Sequence, residues 1–126
     1  MYNFRTDLAL ERRDLYKRAN NIENEVDGIE TEEEKVDEDI RITRVKVLNE
    51  NGEKAIGKKV GNYITIDINN LKIAGQEQIQ KASDTLTKEL KELLKKHIGE
   101  QEPILVVGLG NLYVTPDALG PKVVQD

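Results

Sequence analysis

The part of this sequence best suited to chemistry is a glycine-rich stretch that ends in a single aspartate. It runs Gly108-Leu109-Gly110-Asn111-Leu112-Tyr113-Val114-Thr115-Pro116-Asp117-Ala118-Leu119-Gly120-Pro121-Lys122, directly after the apolar run Ile104–Val107. Glycines at the carboxyl end of a buried strand let the backbone bend tightly, and in open α/β sheets that edge is where ligands bind. The spacing is not a dinucleotide fingerprint, because Tyr113 stands where the third glycine would be, and the P-loop Lys-Ser/Thr pair is missing. Gly108, Gly110 and Asn111 are the candidate substrate-binding positions. The Asn111 amide could orient a substrate carbonyl or bond its own loop, and the loop role ranks first. Thr115 reads as an N-cap, Pro116 as the first helical residue and Asp117 as a first-turn carboxylate, where free N–H groups and the helix dipole favour an acid. Spacing alone does not separate a catalytic Asp117 from a helix-start aspartate with no further task.

Several elements must position these residues. From Gln76 to Ile98, apolar residues recur at three- and four-residue steps through Ile79, Ala82, Leu86, Leu90, Leu93 or Leu94 and Ile98, which predicts a helix closed by Gly99. Lys95, Lys96 and His97 fall in its last turn, opposite the negative end of the dipole. His97, the only histidine, is read as a capping or surface residue. The unalternating run Ile104-Leu105-Val106-Val107 predicts a strand covered on both faces, as in the middle of a parallel sheet. Earlier, Ile64, Ile66 and Ile68 alternate with Tyr63, Thr65 and Asp67, the pattern of a half-buried strand. Its expected hairpin partner changes phase between Ile40/Ile42 and Val45/Val47, which suggests a bulge near Thr43 or Arg44, and Asn51-Gly52 reads as a turn in a tip elaborated through Gly57 and Gly61. From Glu23 to Asp39 ten acidic residues face the single Lys35, so this segment reads as a solvated arm; it lacks the ligand spacing of a calcium loop. Residues 7–20 are compatible with a short helix.

Bulk properties narrow the function classes. A net charge of -5 argues against a general nucleic-acid binder, and the absence of cysteine excludes disulfides, thiolate nucleophiles and Cys-based metal sites. No run of about 18 uncharged apolar residues occurs. The expectation is a soluble, intracellular protein with no metal and no cofactor.

The segment Gly108–Val124, GLGNLYVTPDALGPKVV, closely resembles the signature of the spore germination protease family, endopeptidases that degrade small acid-soluble spore proteins. At the other end, Phe4-Arg5-Thr6-Asp7-Leu8-Ala9 resembles the family's propeptide junction, where the zymogen cleaves itself. Ala55–Lys59 and Tyr63–Thr65 fit more loosely. The resemblance implies an atypical aspartic-type hydrolysis by two aspartates, with Asp117 as the first and the second in a region that this sequence lacks. Two carboxylates in one site can share a proton, one activating water while the other protonates the carbonyl or leaving group; one cannot fill both roles. The 126-residue chain is therefore expected to be inactive. Thr6-Asp7-Leu8-Ala9 is similar to the family's substrate sites, which makes Asp7–Leu8 the candidate processing bond.

The resulting expectation is an α/β fold with a partly parallel sheet flanked by helices, similar to hydrogenase maturation proteases and incomplete in this fragment. It carries an N-terminal β-hairpin and a charged arm. Residues 1–39 would hold the propeptide junction and acidic arm, and residues 40–126 the N-terminal part of the peptidase domain. The resemblance further implies small acid-soluble spore proteins as partners, no nucleic acid or membrane, a homo-oligomer when full length, and the cytoplasm of the spore core as location. A binding or regulatory module and a metal-dependent maturation peptidase are the alternatives.

Overall fold

A computed structural model of the chain describes residues 6–99 and 101–125. They fall into two compact units that divide between Lys91 and Glu92. The first unit is built on a three-stranded sheet of β1 (Ile29–Lys35), β2 (Ile40–Val47) and β3 (Gly61–Ile68), in the order β1-β2-β3 and antiparallel throughout. Helix α1 (Ala9–Asn20) precedes the sheet, α2 (Glu50–Ile56) connects β2 to β3, and α3 (Gln76–His97) follows a short 3-10 turn at Leu71–Ile73.

The change of phase along β2 has a cause other than a bulge. Pairing runs without interruption from Ile29↔Val47 to Lys35↔Arg41 and from Ile40↔Ile68 to Val47↔Gly61. The central strand is covered on both faces, so each phase has its own apolar partners. Val45 and Val47 join Ala9, Val26, Ile29, Ala55 and Ile56 in a core, with Leu10, Tyr16 and Tyr63 packed against it. Ile40 and Ile42, both buried, share the opposite face with Ile64, Ile66 and Ile68. Helix α3 bonds to that face through Arg44, whose Nε and Nη2 donate to the buried Glu89 carboxylate at 2.9 and 2.6 Å.

The acidic segment is not a free arm throughout, since β1 lies inside it and pairs along its whole length with β2. Glu30, Glu32 and Glu34 share one face and meet cations there. Lys46 lies 3.9 Å from Glu30, Arg44 3.3 Å from Glu32 and 2.6 Å from Glu34, and Lys88 of α3 3.8 Å from Glu34. The self-repulsion that predicted a solvated chain is offset across the sheet, by residues that no local window of sequence contains. The expected boundary between residues 39 and 40 thus falls between two paired strands.

Asn51-Gly52 is not a turn either. Asn49 accepts hydrogen bonds at its Oδ1 from the N–H groups of Asn51 and Gly52, at 2.9 and 3.2 Å, and so caps α2. The tip of the β2–β3 hairpin is therefore a helix, closed by Gly57 in the left-handed conformation.

The second unit departs furthest from expectation. Ile104, Leu105, Val106 and Val107 form no strand and are 55, 87, 68 and 65% exposed. A strand needs a backbone neighbour, and among the described residues none pairs with this run, so no parallel sheet forms. Helix α3 spans the predicted range, but the side it buries carries Ala82, Thr85 and Glu89. Ile79, Leu86 and Leu90 remain about half exposed. At 100° per residue, the apolar stripe is turned roughly a quarter turn away from the sheet-facing side.

Candidate active site

The glycine-rich segment folds back on itself. After Gly110 the chain makes one turn, enters a three-residue 3-10 helix at Thr115–Asp117 and continues into α4 (Leu119–Val123). Val114 takes the N-cap position in place of Thr115, with no side-chain cap; Pro116 sits in the first turn, and Asp117 closes the short helix. Backbone hydrogen bonds fasten the hairpin-like return: Asn111 N–H donates to the Asp117 carbonyl at 2.9 Å, and Asp117 N–H to the Val114 carbonyl at 2.8 Å. The Asn111 side chain accepts from the Tyr113 N–H at 3.0 Å, so this amide is engaged in its own loop.

Glycine is required here by contact rather than by loop flexibility. A Cβ on Gly108 would lie 2.2 Å from the Gly120 carbonyl oxygen, one on Gly110 2.0 Å from that of Asp117, and one on Gly120 2.2 Å from that of Leu109. Gly110 also has φ +144, which side-chain-bearing residues rarely adopt. Three glycines thus let two backbone segments touch, with Ala118 buried at the junction and Asp117 held at a fixed place on the return segment. The structure brings Gly108, Gly110, Asn111 and Asp117 together within this one folded loop.

The Asp117 side chain is exposed, and among the described residues it has no hydrogen-bond or ion-pair partner. The other described carboxylates of this unit are engaged elsewhere: Glu102 accepts from the Gly99 N–H at 3.1 Å, and Glu92 pairs with Lys95 at 3.2 Å. Among the described residues no group of three or more His, Cys, Asp or Glu side chains is arranged to hold a metal ion. None of their helices is long and apolar enough to cross a membrane. What the loop offers chemically is one solvent-facing carboxylate on a rigid backbone, able to serve as one half of an acid–base pair.

Asp7 and Leu8 lie in the other unit, at the entrance to α1; the Phe4-Arg5 part of the junction lies outside the described residues. Leu8 is the helix N-cap in extended conformation, φ -74 and ψ 127. Its N–H donates to the Thr6 hydroxyl at 3.2 Å, and that hydroxyl donates to the Glu11 carboxylate. Arg12, which the sequence did not single out, organises this entrance. Its Nε donates to the Thr6 carbonyl at 2.6 Å and its Nη1 to the carbonyls of Ile56 and Gly57 at 3.3 and 3.2 Å. No local pattern announces that role, because the partners it holds on α2 and its cap lie 44 and 45 residues away.

A separate ionic network stiffens the sheet. Arg44 donates hydrogen bonds to the Glu89 and Glu34 carboxylates, which raises the guanidinium pKa, and the bond it gives to Glu34 lowers the pKa of that carboxyl. Lys81 and Asp37, 2.8 Å apart, hold each other charged in the same way.

Residues 7–126 match the germination protease family. The chain is 48% identical over 124 residues to a germination protease of Clostridium perfringens strain ATCC 13124, covering 98% of this chain and 37% of that protein. It is 49% identical over 125 residues to one of Caldanaerobacter subterraneus subsp. tengcongensis, covering 97% and 35%, and 42% identical over 125 residues to one of Clostridium acetobutylicum, covering 98% and 37%. The chain thus spans little more than a third of the length of these relatives.

Proposed function

Since this chain belongs to the germination protease family, we propose that the full-length protein is an endopeptidase that begins the degradation of small acid-soluble spore proteins at germination. The match over residues 7–126, which takes in the whole glycine loop and Asp117, is the observation that carries this reading. The mechanism is of aspartic type. Asp117 supplies one carboxylate, and the second comes from a segment such as the longer relatives carry. In the assembled pair one acid draws a proton from water as the other gives one to the carbonyl or leaving amine. Gly108 and Gly110 let the return segment pack against them, and with Asn111 they fix the loop that borders the substrate.

On the same reading the enzyme is made as a zymogen and processes itself at Asp7–Leu8. It acts as a homo-oligomer in the spore core, without cofactor, nucleic acid or membrane. The exposed β-branched run Ile104–Val107 becomes a strand in a partly parallel sheet of the hydrogenase-maturation-protease type, completed by segments such as the longer relatives carry. Changing Asp117 to Asn in the full-length protein is expected to reduce cleavage of a small acid-soluble spore protein and self-processing alike, by about 10²–10⁴-fold, with the fold retained by circular dichroism. Wild-type turnover in that variant would remove Asp117 from the mechanism. Digestion of the same substrate by the 126-residue chain alone would remove the second acid.

A further inference from the structure

We infer that Arg12 is a latch that keeps the Asp7–Leu8 bond out of reach of the protease until the entrance to α1 opens; this rests on the reading of Asp7–Leu8 as the processing bond. A peptide enters a protease cleft as an extended chain on both sides of the bond to be cut. Downstream of Asp7–Leu8 the extended backbone lasts for Leu8 alone, and the helix begins at the next residue. The Leu8 carbonyl already accepts the Arg12 N–H at 3.1 Å, and the next residue, Ala9, is buried as the first of α1. Cleavage here requires the first helical turn to unwind and Ala9 to leave the core.

The guanidinium of Arg12 opposes that opening. One edge holds the Thr6 carbonyl, just upstream of the bond, at 2.6 Å, and Nη2 lies 3.6 Å from the Asp7 carboxylate. The other edge holds the last carbonyls of α2, on Ile56 and Gly57. One side chain therefore ties the leader to the folded body through groups that a helix C-terminus leaves otherwise unsatisfied. Glu11 adds a second, weaker tie through the Thr6 hydroxyl. Hydrolysis adds one water across the bond, leaving Asp7 with a free carboxyl group and Leu8 with a free amine. Thr6 and Asp7 then depart, while the bonds from Arg12 to α2 stay. The latch thus bears on maturation and not on the mature enzyme.

When opening is fast relative to cleavage, the rate follows the population of the opened form. Losing a charge-assisted tie of this kind raises that population about tenfold. The test compares full-length zymogens with wild-type sequence, Arg12→Ala and Arg12→Lys, following self-processing by mass spectrometry of the N-terminus. Arg12→Ala is expected to yield the chain beginning at Leu8 about tenfold faster. Lysine, a single point donor that can serve Thr6 or α2 but not both, should fall between. The same Arg12→Ala change in a protein produced already starting at Leu8 should leave substrate turnover unaltered. If Arg12→Ala does not fold, Glu11→Ala, at an exposed position, should still mature faster than wild type. Cleavage at Asp7–Leu8 at an unchanged or slower rate in these variants overturns the latch and leaves the processing bond standing. A mature chain that begins at another residue removes the processing bond, and the latch with it.

Discussion

Strand β2 and the run Ile104–Val107 draw on the same β-branched and apolar residue types, yet one is the most buried element of the chain and the other lies open to solvent. The difference is in what flanks them. β2 has backbone neighbours on both edges, α1 and α2 on one face and α3 on the other. The run Ile104–Val107 has no strand partner among the described residues. Apolar content makes burial favourable, but burial of a strand needs its N–H and C=O groups paired as well, and only a neighbouring strand supplies that. The acidic strand β1 makes the converse point. Poor in apolar residues, it still forms, because β2 offers hydrogen bonds and cations in register.

The sharpest way to break this comparison is truncation on both sides of it. In the 126-residue chain, Ile42→Ala should lower the unfolding free energy by about 2–5 kcal/mol, read by chemical denaturation, whereas Leu105→Ala should stay within about 0.5 kcal/mol. Equal effects would mean that the run is buried after all. In the full-length protein Leu105→Ala should move toward the Ile42 value if the completed sheet takes it in. A smaller effect is expected from Glu89→Ala, which leaves Arg44 with Glu32 and Glu34 alone. Arg44 is about a quarter exposed, so the loss should be about 2 kcal/mol rather than the larger figure for a fully buried pair. A loss near zero would show that the other contacts of α3, Lys88–Glu34 and Lys81–Asp37 among them, hold it in place without Glu89.

The mildest test is pH. Hydrogen bonds from Arg44 hold Glu34 below its ordinary value of 4.5, and those from Lys81 hold Asp37 below 3.8. A folded value below the unfolded one gives stability that is present above the unfolded value and disappears as pH falls through the folded one. The melting temperature should therefore be level from pH 7 to about 5 and decline below about 4.5. A melting temperature that rose on acidification would mean that repulsion within the acidic segment outweighs its pairing to β2 and α3.

Much of the local structure was legible in advance. The spacing of Ile79 to Ile98 announced α3 almost to the residue, and the alternation of Ile64, Ile66 and Ile68 announced β3. The glycine–aspartate segment was legible as a unit because its residues are close in the chain and their backbones must touch. Other features were not. β1 was hidden by its charge, and the uninterrupted register of β2 by its two-sided burial. Asn49 drew Asn51-Gly52 into a helix, and Arg12 found its partners on a distant element.

By itself the sequence determined which segments are periodic, which residue types line up on one side of them, where glycine must permit close approach, and to which family the chain belongs. All of these are properties of residues near one another in the chain, or of the string as a whole. Only the tertiary structure decided which side of α3 faces the sheet, which carboxylates meet Arg44, and which of two similar apolar runs becomes a strand. Those outcomes depend on partners brought together from far along the chain, and a hydrogen bond or a buried face exists only when its partner is there.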